Sequence, residues 1–406
     1  MVTTASPAAV GRPTPAAPRV PTSVPTASGA RAPRLRTLDG PRFAAAAGVL
    51  LYHFTARWST AWGEEPVERF GELGRVTSYF ALGPELFFVI SGFVILWTAW
   101  GRSVPAVVGS RVGRLFPAYW TALALTSVLL LLLWPDGKDI TLGQVAVNVT
   151  LLQEAFSVDH VDGVYWTLWA ELRFYALVVL LVALGLTRRR VLAFCAVWPV
   201  LGTLAEHAGP DWAEMLLVGR YAPLFAGGML LYLIHRDGHA RAPWLLLGLN
   251  TALAVANVVP AQVGSLTRNT AFAPSPVLLG VLVVGCFAAV AVLTLTRLAR
   301  LDLPALTTLG ALTYPLYLLH EYWGWWTISV LHDAVPTPVA LAAAGGLSLA
   351  LAWLVHRGVE AWAGPALRRR TERALEQVGT WVAVAARSLS PGAGRRRQVP
   401  AAASRP

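Results

Sequence analysis

Apolar residues run through this chain in long blocks, broken by short polar stretches where arginines and carboxylates collect. Blocks near the roughly 20-residue length of a membrane-spanning helix fall near residues 40–57, 80–100, 115–134, 166–186, 191–207, 214–234, 244–260, 276–296, 305–331 and 338–356. The pattern predicts an all-α integral membrane protein, a bundle of about ten transmembrane helices. Residues 1–37 are rich in Pro, Ala, Thr and Ser and lack the apolar core of a signal peptide, so they read as a disordered lead. Residues 366–406 form a basic tail. Within it, Thr371 to Leu389 would set Leu375, Val378, Trp381 and Val382 on one side of an amphipathic helix suited to a membrane surface.

Charge in the connections tests this layout independently, because arginine and lysine accumulate on the cytoplasmic side. With the N-terminus inside, the inner connections hold Arg102, Arg111 and Arg114; Arg188, Arg189 and Arg190; Arg236 and Arg241; and Arg297 and Arg300. The tail adds Arg357, Arg368, Arg369 and Arg370. The outer connections are mixed or acidic, with Glu64, Glu65, Glu68 and Glu72 against Arg57, Arg69 and Arg75, then Asp136, Asp139, Asp159 and Asp162 against Lys138, then Glu206, Asp211 and Glu214. An even number of crossings with both termini in the cytoplasm preserves this alternation, and the expected location is the inner (cytoplasmic) membrane.

Composition agrees: 55% of the 406 residues are hydrophobic and 14% charged, unlike an ordinary soluble domain. A net charge of +11 would suit nucleic acid if the arginines formed one stripe. They are scattered, which fits topology and contact with anionic lipid, so membrane lipids and not nucleic acid are the expected partners. Cys195 and Cys286 lie in predicted spans and read as small apolar fillers, with neither a disulfide nor a metal site expected. Arginine is used almost to the exclusion of lysine, Lys138 being the one exception, which points to a GC-rich bacterial source.

Arg42 and His53 stand eleven residues apart in one apolar run. At ~100° and ~1.5 Å per residue they share a helix face about 16 Å apart. Ionisable groups at bilayer depth are costly and mark binding or reaction paths, so the two are read as lining one water-accessible face. Glu85, Glu171 and Arg220 are further ionisable groups in or at the edge of predicted spans.

Five segments, in order, resemble the membrane-bound acyltransferase-3 family: Leu38-Asp-Gly-Pro-Arg42 leading to Tyr52-His53-Phe54; Gly83-Pro-Glu85-Leu-Phe-Phe-Val-Ile-Ser91-Gly-Phe93; Arg111-Val-Gly-Arg114-Leu-Phe-Pro117; Trp166-Thr-Leu-Trp-Ala-Glu171-Leu-Arg-Phe-Tyr175; and Leu312-Thr-Tyr314-Pro-Leu-Tyr317-Leu-Leu-His320. The resemblance covers roughly residues 38–365. It implies an O-acyltransferase that moves an acetyl or other short acyl group from acyl-CoA, a co-substrate, to a hydroxyl of a carbohydrate or a glycosylated metabolite such as a macrolide. No cofactor is implied.

On that reading His53 is the candidate base, an imidazole near its natural pKa taking the hydroxyl proton. A transient acyl-histidine is the covalent alternative, and a structural histidine the plainer one. Arg42, Arg111 and Arg114 suit the phosphates of coenzyme A through their guanidinium forks, although Arg111 and Arg114 would also serve as a positive-inside anchor. Glu85 and Glu171 are candidate catalytic carboxylates. Tyr175, Arg220, Tyr314, Tyr317 and His320 are candidates for substrate contact, with interhelical packing the alternative for Tyr175 and His320. The competing function is a transporter or flippase for a lipid-linked sugar or polar metabolite. Such proteins commonly show inverted halves with matching broken helices, and the two halves here show no such pairing.

Overall fold

A computed structural model describes Val2 and residues 35–388, so most of the predicted disordered lead, and the chain beyond Ser388, lie outside the described residues. Among the described residues the chain forms helices and no strand. In chain order these are α1 (Asp39–Thr55), α2 (Pro66–Thr77), α3 (Gly83–Ala99), α4 (Val104–Val128), α5 (Leu142–Asn148), α6 (Trp166–Ala183) and α7 (Arg188–Ala208). There follow α8 (Asp211–Leu217), α9 (Ala222–Asp237), α10 (Arg241–Asn269), α11 (Pro276–Leu295), α12 (Pro304–Leu331), α13 (Thr337–Val355) and α14 (Ala361–Ser388).

Local chemistry sets the boundaries. Pro84, Pro105, Pro276 and Pro304 each sit in the first turn of a helix, where the missing N–H would have no partner anyway. Thr141 and Gln144 close α5 with a reciprocal capping box, and the Thr187 and Ser275 hydroxyls accept from the first turns of α7 and α11.

Eight helical segments among the described residues are long and apolar enough to cross a membrane, and the chain is a multi-pass membrane protein. The two remaining predicted spans are helical as well: α1 has 17 residues and α12 has 28. They are also the helices that carry His53, His320 and the polar groups around them, which lowers their apolar character. Cys195 and Cys286 are free thiols.

At the centre lies α9, buried along nearly its whole length and apolar all round, as an interior helix must be. It packs closely on α3 and also on α7, α10 and α11, while α1 and α13 flank α12 and α14 lies along α4. The predicted amphipathic tail is thus part of α14. Its beginning docks on α4 where Gly113 faces the Gly364 carbonyl, a Cβ there standing 2.6 Å from that oxygen. Farther on, Val378, Trp381 and Val382 are exposed.

Arginine-bearing turns converge at the end of the bundle where α1 begins. Arg36 pairs with Asp302, Arg188 reaches Asp237 at 3.4 Å, the Arg236 guanidinium lies 3.7 Å over the Trp100 ring, and the His235 ring N–H donates to the Thr294 carbonyl at 2.7 Å.

Candidate functional site

His53 lies in the last turn of α1 and His320 midway along α12, both buried. Their rings are 4.8 Å apart and nearly perpendicular. Partners fix the tautomers, because a backbone carbonyl can only accept. His53 Nδ1–H therefore donates to the Val49 carbonyl at 2.8 Å, and His320 Nδ1–H to the Tyr317 carbonyl at 2.9 Å. His320 Nε2, left as an acceptor, sits 3.1 Å from His53 Nδ1 and shares its proton. Both lone pairs are then accounted for: His320's points at His53, and that of His53 Nε2 is free for chemistry. Trp325 Nε1 donates to the His53 carbonyl at 2.9 Å and ties the end of α1 to α12.

Facing that nitrogen is a residue the sequence reading missed. Glu321 Oε2 lies 3.7 Å from His53 Nε2, and Oε1 lies 3.9 Å from Arg57 Nε. Oε2 is buried and accepts no hydrogen bond. Gly163 makes the approach feasible: a Cβ there would stand 2.9 Å from Oε2 and 3.1 Å from Oε1. Beside Glu321 is Asp162, counted above among the acids of the outer connections and 0% exposed in the fold. Its Oδ1 accepts from the Val164 N–H at 3.1 Å. Burial, reinforced by the charge of Glu321, pushes the Asp162 carboxyl well above the usual carboxylate range.

A second polar group surrounds Arg42. Asp39 lies 3.8 Å away, and Arg114, Glu171 and Tyr175 are within electrostatic reach. Asp39 itself nests against α12 where Gly310 has no side chain. Glu171 accepts from the Ser91 hydroxyl at 2.6 Å and, at the same oxygen, from the Tyr175 phenol. The Arg111 guanidinium lies 5.5 Å over the Tyr175 ring, and its buried Nε has no acceptor. Tyr314 donates to the Leu115 carbonyl at 3.0 Å, next to Arg114. The three arginines predicted to bind one ligand are thus gathered at one level, with Glu171 and Tyr175 among them.

Neither Glu171 nor Glu85 is bonded to the histidines. Glu85, in the first turn of α3, accepts from Gln262 Nε2 at 2.8 Å and faces a cavity that Arg220 also lines. Arg220 is held by Glu206 at 2.7 Å. Of the predicted substrate residues, Tyr317 joins the histidines, its ring 5.8 Å from His320 and its hydroxyl 3.4 Å from the Val164 carbonyl.

On α1 itself, Ala46 and Val49 between Arg42 and His53 are buried, whereas Ala44 and Leu51 are exposed. Arg42 and His53 do share a face of α1, but it is not water-accessible as expected: it is packed into the bundle, with Ala46 and Val49 buried between its two polar ends.

Two comparisons with known proteins return matches. A family model described as an acyltransferase domain matches residues 35–357. A curated protein named "Putative membrane-bound transacylase BcsY", from Komagataeibacter xylinus, is 28% identical over 314 residues, covering 71% of this chain and 72% of that one. No solved structure matches significantly.

Proposed function

The chain belongs to the acyltransferase-3 family of membrane proteins, and from that premise we propose an O-acyltransferase that moves a short acyl group from acyl-CoA to a hydroxyl of a carbohydrate or glycosylated metabolite. The observation that carries this reading is the pair of polar centres on one inward face of α1. An arginine cluster stands at one end and a tautomer-fixed imidazole about 16 Å along the helix. Acyl-CoA is an extended molecule with anionic phosphates at one end and the reactive thioester at the other. Arg42, Arg111 and Arg114 would hold the phosphates, the arm would pass the small side chains of Ala45 and Ala46, and the thioester would meet His53. The arginine-rich turns at the Arg42 end favour entry from the cytoplasm, with both termini on that side of the inner membrane.

In the transfer step His53 Nε2 accepts the proton as the acceptor oxygen attacks the thioester carbon, and the coenzyme A thiolate leaves. The imidazolium shares its Nδ1 proton with the His320 lone pair, while Glu321 faces the new charge. The imidazolium then gives its Nε2 proton to the departing thiolate, which returns the site to its starting state.

The function is tested with purified protein and radiolabelled acetyl-CoA, by following label into a glycoside acceptor. Replacing Arg111 and Arg114 together with alanine should raise the KM for acetyl-CoA and leave that for the acceptor nearly unchanged, because phosphate contacts act as uniform binding. Lysine at both positions should restore only part of the loss, keeping charge without the fork. Transfer with unaltered donor KM would return the two arginines to a topological role.

Glu321 acts through His53, so its signature is a split in kinetics. Glu321→Gln keeps the shape and removes the charge, and should lower kcat roughly tenfold or more with KM little changed, since stabilising a transition-state imidazolium leaves the ground state alone. Gly163→Ala, which crowds both Glu321 oxygens, should reproduce the effect with the carboxylate still present. Equal losses in folded yield and activity would identify Glu321 as merely structural.

A further inference from the structure

A cavity of about 620 Å³ opens beside Glu85, lined from α3, α6, α7, α8 and α10 and from the turn that leads into α9. Its size falls within the roughly 300–1,000 Å³ of pockets that enclose whole small molecules. Glu85 is fully buried, yet Oε2 makes no hydrogen bond. Leaving a buried carboxylate oxygen without a donor is costly, so the site is built for a ligand that brings a donor. The rings of Trp166 and Tyr221, 5.3 Å apart and tilted by 32°, also line the cavity. The Arg220 fork is already engaged by Glu206.

Charge narrows the class of ligand. Five carboxyl groups line the cavity against three guanidinium groups, so a phosphorylated or otherwise anionic molecule meets net repulsion, and coenzyme A is excluded on that ground. A neutral or cationic ring bearing several hydroxyls meets what it needs: acceptors for O–H and N–H donors, and aromatic faces for its C–H edges. A chain of ring contacts links the cavity wall to the histidines. On α3, Phe88 lies 4.9 Å from Tyr221, while its neighbour Phe87 lies 5.6 Å from Tyr317, whose ring touches His320.

We propose that this cavity is the acceptor site, holding a neutral or amino sugar over Trp166 and Tyr221 with Glu85 Oε2 receiving its hydroxyl or ammonium protons. The assignment rests on the acyl-transfer reading for its purpose but not for its test, which is binding alone. Purified protein without donor would be titrated by ligand-observed NMR with methyl glucoside, methyl glucosaminide and methyl glucuronide. The first two should bind and the uronate should not. Glu85→Gln and, separately, Tyr221→Leu should each weaken binding about tenfold or more, as expected for losing a charge-assisted hydrogen bond or an aromatic platform. Coenzyme A should not displace the sugar. Preferential binding of the uronate, displacement by coenzyme A, or unchanged affinity in both folded variants would overturn the assignment. Sugar binding with no transfer from acetyl-CoA would leave this site standing and remove the donor from the proposed function instead.

Discussion

His53→Ala should leave a folded, membrane-inserted protein whose acyl transfer falls by about 10²-fold or more, the usual loss when a positioned base is removed. The variant is expected to fold because His53 gives up little packing. Its ring hydrogen bonds run to a carbonyl of its own helix and to His320, while the tie between α1 and α12 made by Trp325 goes to the His53 backbone and survives the change. Both KM values should move little. Turnover within a few-fold of wild type, in protein with an unaltered melting temperature, would remove His53 from the chemistry. The same protein separates the two routes open to an imidazole. If Nε2 attacks the thioester itself, coenzyme A leaves, and an acyl-imidazole that hydroxylamine cleaves should be trapped on wild-type protein from radiolabelled donor alone. If it acts only as a base, no label should be retained before the acceptor is added.

The helical architecture was legible because spanning length and loop charge are local properties, and each predicted span falls on helix, the one near 214–234 being divided between α8 and α9. His53, His320 and Tyr317 meeting one another was not, since the contact joins residues 267 positions apart and no periodicity reports it. Glu321 was overlooked for a related reason. It follows His320 directly in a helix crowded with Tyr and Trp, and only the absence of a side chain at Gly163, on a different segment, lets its carboxylate reach the imidazole. Asp162 looked like one more loop acid, because its burial is created by α12 and not by its neighbours in the chain. Conversely, Glu85 and Glu171 stood out as intramembrane carboxylates, and their prominence suggested catalysis. The fold gives each a separate neighbourhood: Glu171 is satisfied by Ser91 and Tyr175 beside the arginines, and Glu85 opens on the cavity.

Gly92→Leu and Gly228→Leu should each abolish recovery of folded protein, the largest stability losses expected for single substitutions here. These glycines are where α3 and α9 cross. A Cβ at Gly92 would fall on the Phe225 carbonyl, and one at Gly228 on the Val89 carbonyl. The obstruction in both cases is backbone, so no rotamer change relieves it and the helices must separate. In lipid, helix association depends on close packing and not on expelling water, which makes separation of the central helix from its main partner especially damaging. Overpacked core sites typically lose about 1–3 kcal/mol, and more where the neighbour cannot yield. Gly285→Leu on α11 is the matched control: nothing stands within 4 Å of a Cβ there, and leucine favours a helix by up to about 1 kcal/mol over glycine. Its melting temperature should hold or rise. Size-exclusion profiles and thermal melts in detergent would read all three. Normal monodisperse protein from both the Gly92 and Gly228 variants would mean that α3 and α9 do not meet at these backbones. Glu85, Ser91 and the Phe87–Phe88 pair would then lose the placement on which the cavity and the arginine cluster both depend.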